Sequence, residues 1–492
     1  MTALLLEAGK TCWRATQANR AAVLIDAAAY FAAVRSALKA ATSSIHMLNW
    51  AFDPDTRLCP RDQSDMGPEL ELGAFLIQLA AERPELKIRI LCWKSAVLVS
   101  ATQHFFPHRA RRCFKDTPIQ FHLDATVPLG GCHHQKVIIV DGRIAFVGSC
   151  DFSPDRWDTP EHMDADPRRR VSGRAAAFHE PRHEVMAIVD GGAAQSLASL
   201  FTRRWHRAVG EDLAPDQPTL VDAWPDRLEP QFNNVTTGLS RTEPGWRGRE
   251  EVREIEALHL ASIAAARRCI YLENQYLTSP VVGAALAARL ADPDGPEVIL
   301  VSNQLSPSWF DQMTMDRRRS RIISLLRAAD TFGRLRAYVP VTAAGTPVVV
   351  HAKLSIMDDD LLHVGSANLN NRSGGFDTEC DLTIEIEPRD DANRSSVVHC
   401  RNQLIAHWLA CSVPDVASAV AGAGSVGGGI EHLRAQGYTR LSPLESRPLG
   451  PISARFAGLH LGDPVGVADS WKPWKRTRAI RAALAIGLRR AA

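Results

Sequence analysis

The stretch that decides the fold is GCHHQKVIIVDGRIAFVGSCD, residues 131–151. Val137 to Val140 is an unbroken apolar run closed by Asp141-Gly142, the pattern of a buried strand entering a hairpin. Two histidines and a lysine stand at its start. In a core strand, imidazole and ammonium groups must be hydrated, paired or put to use. Side chains alternate across a strand, so His134 and Lys136 share one side, while His133 faces the other and reads as structural.

The same arrangement recurs in HAKLSIMDDDLLHVGSAN, residues 351–368. In both copies four residues separate the lysine (Lys136, Lys353) from an aspartate (Asp141, Asp358). Six more separate that aspartate from Gly-Ser (Gly148-Ser149, Gly365-Ser366), and a polar residue follows two positions later (Asp151, Asn368). A lone His-x-Lys has little value in a chain of this size. The doubled spacing is hard to obtain by accident.

Upstream of each copy a helical pattern runs into a strand, AAVRSALKAATSSIHMLNWAF from Ala32 and EALHLASIAAARRCIYLENQYL from Glu256. Further strands read at KIRILCW from Lys87 and EVILVSN from Glu297. The histidines are 217 positions apart (351 − 134) and the earlier strands, at Ile45 and Ile270, are 225 apart (270 − 45). Two matches at nearly one offset point to duplication. PDQPTLVDAWPDRLEPQFNN, residues 215–234, breaks every period with proline and polar residues.

The reading is therefore an α/β protein with a mixed sheet in each half. Residues 1–210 form the first lobe, 211–250 a linker, 251–411 the second lobe, and 412–492 an accessory region with a short helix at IEHLRAQG. Gly427 to Gly429 precede that helix without following a strand, so they read as a flexible connection and not a phosphate cradle.

With 492 residues the chain is long enough for two or three well-buried domains. A 45% hydrophobic and 23% charged composition is that of a globular chain, and the net charge of +2 argues against a polycation made for nucleic acid. The arginine clusters at 109–112, 168–170 and 317–321 read as solvated faces. Ten scattered cysteines without a CxxC pair give no zinc or disulfide spacing. No stretch reaches the roughly 20 apolar residues of a membrane span, and the amino terminus lacks a secretory pattern. The expected compartment is the cytoplasm. WKPWKRTRAIRAALAIGLRR, from Trp471, is a basic amphipathic segment that fits either a solvated helix or the anionic face of an inner membrane.

Two halves packed about a pseudo-twofold axis would bring two histidines and two lysines together. Paired ammonium groups favour a phosphodiester and its more highly charged transition state. One neutral imidazole then attacks phosphorus, and a protonated one serves the leaving alkoxide. Each imidazole needs a carboxylate on its far nitrogen to fix its tautomer.

These residues resemble the phospholipase D superfamily, whose HxKx4Dx6GS-x-N signature matches His134, Lys136, Asp141, Gly148 and Ser149, and again His351, Lys353, Asp358, Gly365, Ser366 and Asn368. HHQKVIIVDG, RWDTPEH from Arg156, IYLENQYL from Ile270 and SANLNNRS from Ser366 are similar to plant and bacterial phospholipases D, a likeness covering most of residues 10–415. The resemblance implies two tandem α-β-α lobes and a small carboxyl-terminal helical tail. It implies that His134 is the nucleophile and His351 the general acid and base. Glu184 and Glu379 match the supporting carboxylates, with either assignment to the two histidines open. Lys136, Lys353, Asn368, Ser149 and Ser366 match phosphate contacts, and Asp141 and Asp358 match structural aspartates. No metal and no cofactor is implied, so chelators should leave activity largely intact.

The first copy departs from the signature. Asp151 stands where the second has Asn368, and a carboxylate there would repel phosphate; Asp151 is expected to point away or to pair with a cation. Nothing in the sequence reads as the calcium- and lipid-binding module of the plant enzymes. Glu273 and Asn274 fit either the cleft or a hydrogen bond between the halves. Trp50, Trp157, Trp309 and Phe310 are candidates for an acyl-chain entrance.

The function implied is hydrolysis of the distal phosphodiester of a glycerophospholipid at a membrane surface, giving phosphatidic acid and a free head group. Water or an alcohol would be the acceptor. The alternatives are a phosphatidyl transferase of the cardiolipin synthase type and a nuclease or phosphodiesterase of the same superfamily. No stable nucleic-acid partner is expected, and a duplicated chain completes the site as a monomer.

Overall fold

A computed structural model describes residues 4–60, 71–95, 106–171, 177–214, 221–306, 308, 311–445 and 462–470. Trp309, Phe310 and the basic segment from Trp471 lie outside the described residues.

The first half contributes β1 (Arg14–Ile25), β2 (Ser44–Asn49), β3 (Lys87–Trp93), β4 (Gln120–Asp124), β5 (Val137–Val140), β6 (Ile144–Gly148), β7 (Arg182–His183) and β8 (Val185–Val189). The second contributes β9 (Phe232–Glu243), β10 (Val252–Arg253), β11 (Cys269–Asn274), β12 (Glu297–Val301), β13 (Leu335–Pro340), β14 (Val349–Val350), β15 (Lys353–Met357), β16 (Leu361–Gly365), β17 (Glu379–Glu385) and β18 (Leu441–Pro443). The two mixed sheets expected from the sequence are one. Its order is β18-β13-β12-β11-β15-β16-β17-β9-β1-β8-β6-β5-β2-β3-β4, with β10 on β9. Outward from the antiparallel β9–β1 pair the two arms match strand for strand as far as β13 and β4, with β18 added beyond β13, so the duplication becomes a pseudo-twofold relation across that pair.

The apolar runs are explained by helices on both sheet faces. Val137 and Ile139 enter a core that also holds Leu197, Phe201, Leu404 and Trp408, from helices Gly191–Val209 and Asp391–Leu409. Ile138 and Val140 face the opposite way, onto Phe31, Val34 and Leu76 of helices Asp26–Ala40 and Leu72–Glu82. A strand covered twice has no polar face to show, hence Val-Ile-Ile-Val. In the second half, helices Pro280–Ala291 and Arg317–Ala329 supply the equivalent cover.

Two boundaries differ from the sequence reading. Residues 211–250, expected to be a linker, contain β9, which pairs with both β1 and β17 and joins the halves. The accessory region is also woven in. β18 extends the sheet beside β13, and the buried Asp463 carboxylate accepts from Thr278 Oγ1 at 3.1 Å, Arg318 Nη1 at 2.9 Å and the Arg372 amide at 2.9 Å. Among the described residues no single helix is long and apolar enough to cross a membrane.

Candidate active site between the lobes

Crosswise backbone pairing builds the site. The chain entering His134 runs parallel to the chain entering Glu379: His133 bridges Thr378, and the His134 amide donates to the Thr378 carbonyl at 2.9 Å. The chain entering His351 runs the same way against the chain entering Glu184, through β14 on β7, with the His351 amide on the His183 carbonyl at 2.9 Å. Each histidine therefore meets the other lobe's glutamate. His134 Nδ1 lies 3.0 and 3.1 Å from the Glu379 oxygens, and His351 Nδ1 lies 2.8 Å from Glu184 Oε2. This settles the geometry that the sequence left open.

Both imidazoles line one cavity of about 540 Å³, with Trp50, Tyr276, Arg156, Arg182 and Asn368 among its walls. Because Nδ1 is engaged in each ring, Nε2 is the atom left for a ligand. Lys136 and Lys353 lie beneath, each 1% exposed. Lys136 Nζ donates to the His134 carbonyl at 2.7 Å and lies 3.1 Å from Asp151 Oδ2. Lys353 Nζ donates to the His351 carbonyl and to Gln275 Oε1, the latter at 3.2 Å. Asp151 is thus turned onto a cation, its other oxygen accepting from the Trp50 and Ala51 amides at 3.0 Å each.

The two signature serines do not meet the cavity as expected of phosphate contacts. Ser149 Oγ donates to Glu184 Oε2 at 2.6 Å, and Ser366 Oγ to Glu379 Oε2 at 2.5 Å; both serines are fully buried. They position the carboxylates. The glycine before each serine makes this possible. A Cβ at Gly148 would lie 2.6 Å from the Val185 carbonyl oxygen, and one at Gly365 would lie 1.9 Å from Asp381 Oδ1. Only a residue without a side chain lets these strands come so close. Asp141 and Asp358 are remote from the cavity and tie the turn after each strand to amides at the start of β2 and β11.

Burial, reinforced by the lysines, holds both imidazoles well below the ordinary histidine range. Burial also lifts Glu379 well above the ordinary glutamate range, against the pull of Lys136 and of hydroxyl donors from Ser366 and Ser373. His134 and Glu379 face each other across a hydrogen bond and titrate as one coupled pair. Lys353 is pushed down to about 7, chiefly by burial, with Lys136 and Arg156 adding to the effect and Glu184 opposing it. The direction of the His351 shift favours the neutral imidazole in the empty cavity, whereas the sequence reading expects a protonated one during the reaction.

The remaining candidates separate cleanly. Trp50 lines the cavity, 5.9 Å from Trp93 in a stacked pair, whereas Trp157 is buried outside it under Arg168. His133 is buried, bonded to Thr378 Oγ1 and Asp124. Glu273 binds His183, Tyr271 and Trp408, and Asn274 accepts from two amides, so neither opens onto the cleft. Several residues at the site were not singled out by the sequence reading. Gln275 on Lys353, Ser373 on Glu379, Asp155 beside Arg182, and Arg372 with Asp377 have no motif of their own, although Gln275, Arg372 and Ser373 lie inside segments that resemble the family.

A family model described as Phospholipase D matches residues 37–222. Phospholipase D A of Dictyostelium discoideum is 26% identical over 430 residues, taking in 74% of this chain and 32% of that one. Phospholipase D alpha 1 of Ricinus communis is 23% identical over 491 residues, 70% of this chain and 59% of the relative. The chain thus spans less than two thirds of the length of these curated relatives. The crystal structure of phosphatidylserine synthase from Haemophilus influenzae Rd KW20 superimposes with a TM-score of 0.55 at 12% identity, covering 96% of both chains, which shows a shared fold.

Proposed function

The chain belongs to the phospholipase D superfamily, and on that premise we propose that it hydrolyses the distal phosphodiester bond of a glycerophospholipid through a phosphohistidine on His134. The observation that carries this reading is the crosswise pair of histidine–glutamate contacts opening onto one cavity above two buried lysines.

The steps follow from these groups. A phosphodiester anion entering the cavity offsets the positive charge of Lys136, Lys353 and Arg156, which allows His351 to take up a proton. His134 Nε2 attacks phosphorus, and the bond to the head-group oxygen breaks. His351 Nε2 gives its proton to that oxygen, and the head group leaves as a neutral alcohol. His351, now neutral, takes a proton from water; the oxygen attacks phosphorus, the P–N bond breaks, and phosphatidic acid is released with both imidazoles restored. An alcohol in place of water yields the transferred ester by the same step. Asn368, whose side-chain oxygen has no hydrogen-bond partner among the described residues, supplies a neutral polar contact at the cavity wall.

Mass spectrometry of a mixed bacterial phospholipid extract, with and without ethanol, tests the reading. Phosphatidic acid is the expected product in water, joined by phosphatidylethanol when ethanol is present. Intact phospholipids beside cleaved plasmid DNA would instead favour the nuclease reading.

A further inference from the structure

Away from the cavity, the described residues bring three or more histidine and carboxylate groups within reach of a common point in two places. In one, His363 is satisfied through both nitrogens by Thr383 and Asp381. The other gathers Asp26, His162, His183 and His407; His162 Nε2 and His407 Nε2 are within hydrogen-bond distance of each other, but one buried carboxylate oxygen, Asp26 Oδ2, is left without a partner among the described residues.

His162 Nε2 and His407 Nε2 lie 3.1 Å apart, and each is 3.8 Å from Asp26 Oδ2. A point equidistant from these three atoms is about 2.1 Å from each, which is the bond length of zinc to imidazole nitrogen and carboxylate oxygen. Asp26 Oδ2 is buried and has no hydrogen-bond partner among the described residues. A carboxylate oxygen removed from water without a donor is costly unless a cation meets it.

The surroundings orient Asp26 and His162, while His407 is placed by its helix, its Nδ1 having no hydrogen-bond partner among the described residues. His183 Nδ1 holds Asp26 Oδ1 at 2.8 Å, and its Nε2 is occupied by Glu273, so His183 anchors Asp26 without being free to ligate. Asp158 holds His162 Nδ1 at 2.9 Å, so Nε2 carries the lone pair, which faces His407 Nε2 and the common point, the carboxylate–histidine arrangement found behind metal-bound imidazoles. Asp26 and His162 both adopt positive φ, 66° and 44°, a conformation that non-glycine residues rarely hold without a local reason. A surface cavity of about 620 Å³, walled by His407, Glu161 and Arg440 among others, gives an ion its way in.

We propose that Asp26, His162 and His407 bind a divalent transition-metal ion of the zinc class. Imidazole with carboxylate selects zinc over the oxygen-seeking magnesium and calcium. The ion fastens the lobes together, since Asp26 and His162 come from the first and His407 from the second. It also braces the catalytic machinery from behind: the Asp26 amide donates to the Glu184 carbonyl at 2.8 Å, and Glu184 carries His351. The site is separate from the phosphorus chemistry and does not depend on which phosphodiester is cleaved.

The test uses the full chain, stripped with a chelator, loaded with zinc chloride, desalted and analysed by elemental mass spectrometry together with thermal unfolding. The expected result is about one zinc per chain, with a melting temperature several degrees above that of the stripped protein. His134→Asn should keep the zinc. Asp26→Asn and His407→Gln should lose it, with no zinc-dependent shift; His407, at the cavity rim, is the substitution that tolerates replacement if Asp26→Asn fails to fold. Folded wild-type protein that retains no zinc and shows no shift would overturn the proposal, as would full zinc retention in folded His407→Gln.

Discussion

The two lobes make the same hairpin and the same histidine–lysine pair, yet they treat the lysine differently. In the first, Lys136 meets a carboxylate, Asp151, and lies 5.7 Å from the Trp50 ring centroid. In the second, Lys353 donates to the neutral Gln275, Asn368 stands at the position equivalent to Asp151, and burial pushes Lys353 down to about 7. One half of the site thus carries its own counter-charge, while the other has a positive charge whose natural partner is the substrate phosphate. The duplicated halves share their backbone, and one difference at equivalent positions, Asp151 against Asn368, removes the symmetry of charge. In the proposed reaction, that inequality is what would let one imidazole attack and the other transfer protons.

Substitutions in pairs put this contrast under strain. His134→Ala should lower turnover of a short-chain phosphatidylcholine by at least about 10⁴-fold, because the covalent route is lost. His351→Ala should lower it by about 10²- to 10⁴-fold, the range of general acid–base catalysis. Near-normal rates in either variant would remove that histidine from the mechanism. Glu379→Gln and Glu184→Gln should each cost about 10- to 100-fold in kcat, with KM little changed, since each acts through the histidine of the opposite lobe.

The unequal lysines make a pH prediction with a definite sign. Lys353 is protonated below about pH 7 and loses its charge above it, so kcat/KM should fall as pH rises through that value. Asn368→Asp would give the second lobe the counter-charge of the first. It should move this alkaline limb upward by about one unit and lower the plateau about tenfold, because the new carboxylate opposes the phosphate. A limb that stays in place would mean that Lys353 does not set it.

The smallest expected difference concerns stability. Asp141 accepts from five donors, the amides of Thr42, Ser43 and Ser44 and the hydroxyls of Thr42 and Ser43. Asp358 accepts from three amides. Denaturant unfolding should show Asp141→Ala destabilised by about 2–3 kcal/mol and Asp358→Ala by about 1 kcal/mol less.

Much of this site was readable in the sequence because its parts are local. The hairpin, its turn, the same-side histidine and lysine, and the repeat offset are all set by neighbours within a few positions. What the sequence hid depends on long separations. His134 and Glu379 are 245 residues apart, His351 and Glu184 are 167 apart, and either pairing satisfied the composition. FNNVTTGLSRTE reads as linker because it is largely polar and follows a proline-rich run, yet as β9 at the seam it is held by neighbours on both sides. The serines were assigned to phosphate through the resemblance, and only the close approach of β6 to β8 and of β16 to β17 shows them facing carboxylates. Asp463, a single acidic residue after a glycine, gave no signal of the buried cluster it completes.

The convergence of both lobes on one phosphorus atom is tested most directly by trapping. His351→Asn protein, mixed with a short-chain phospholipid, quenched in alkali and digested, can be read by tandem mass spectrometry. A phosphatidyl adduct on His134, absent from residue 351 and from protein quenched before mixing, is the result these contacts predict. Turnover by this variant with no adduct, or an adduct on any other side chain, would contradict them.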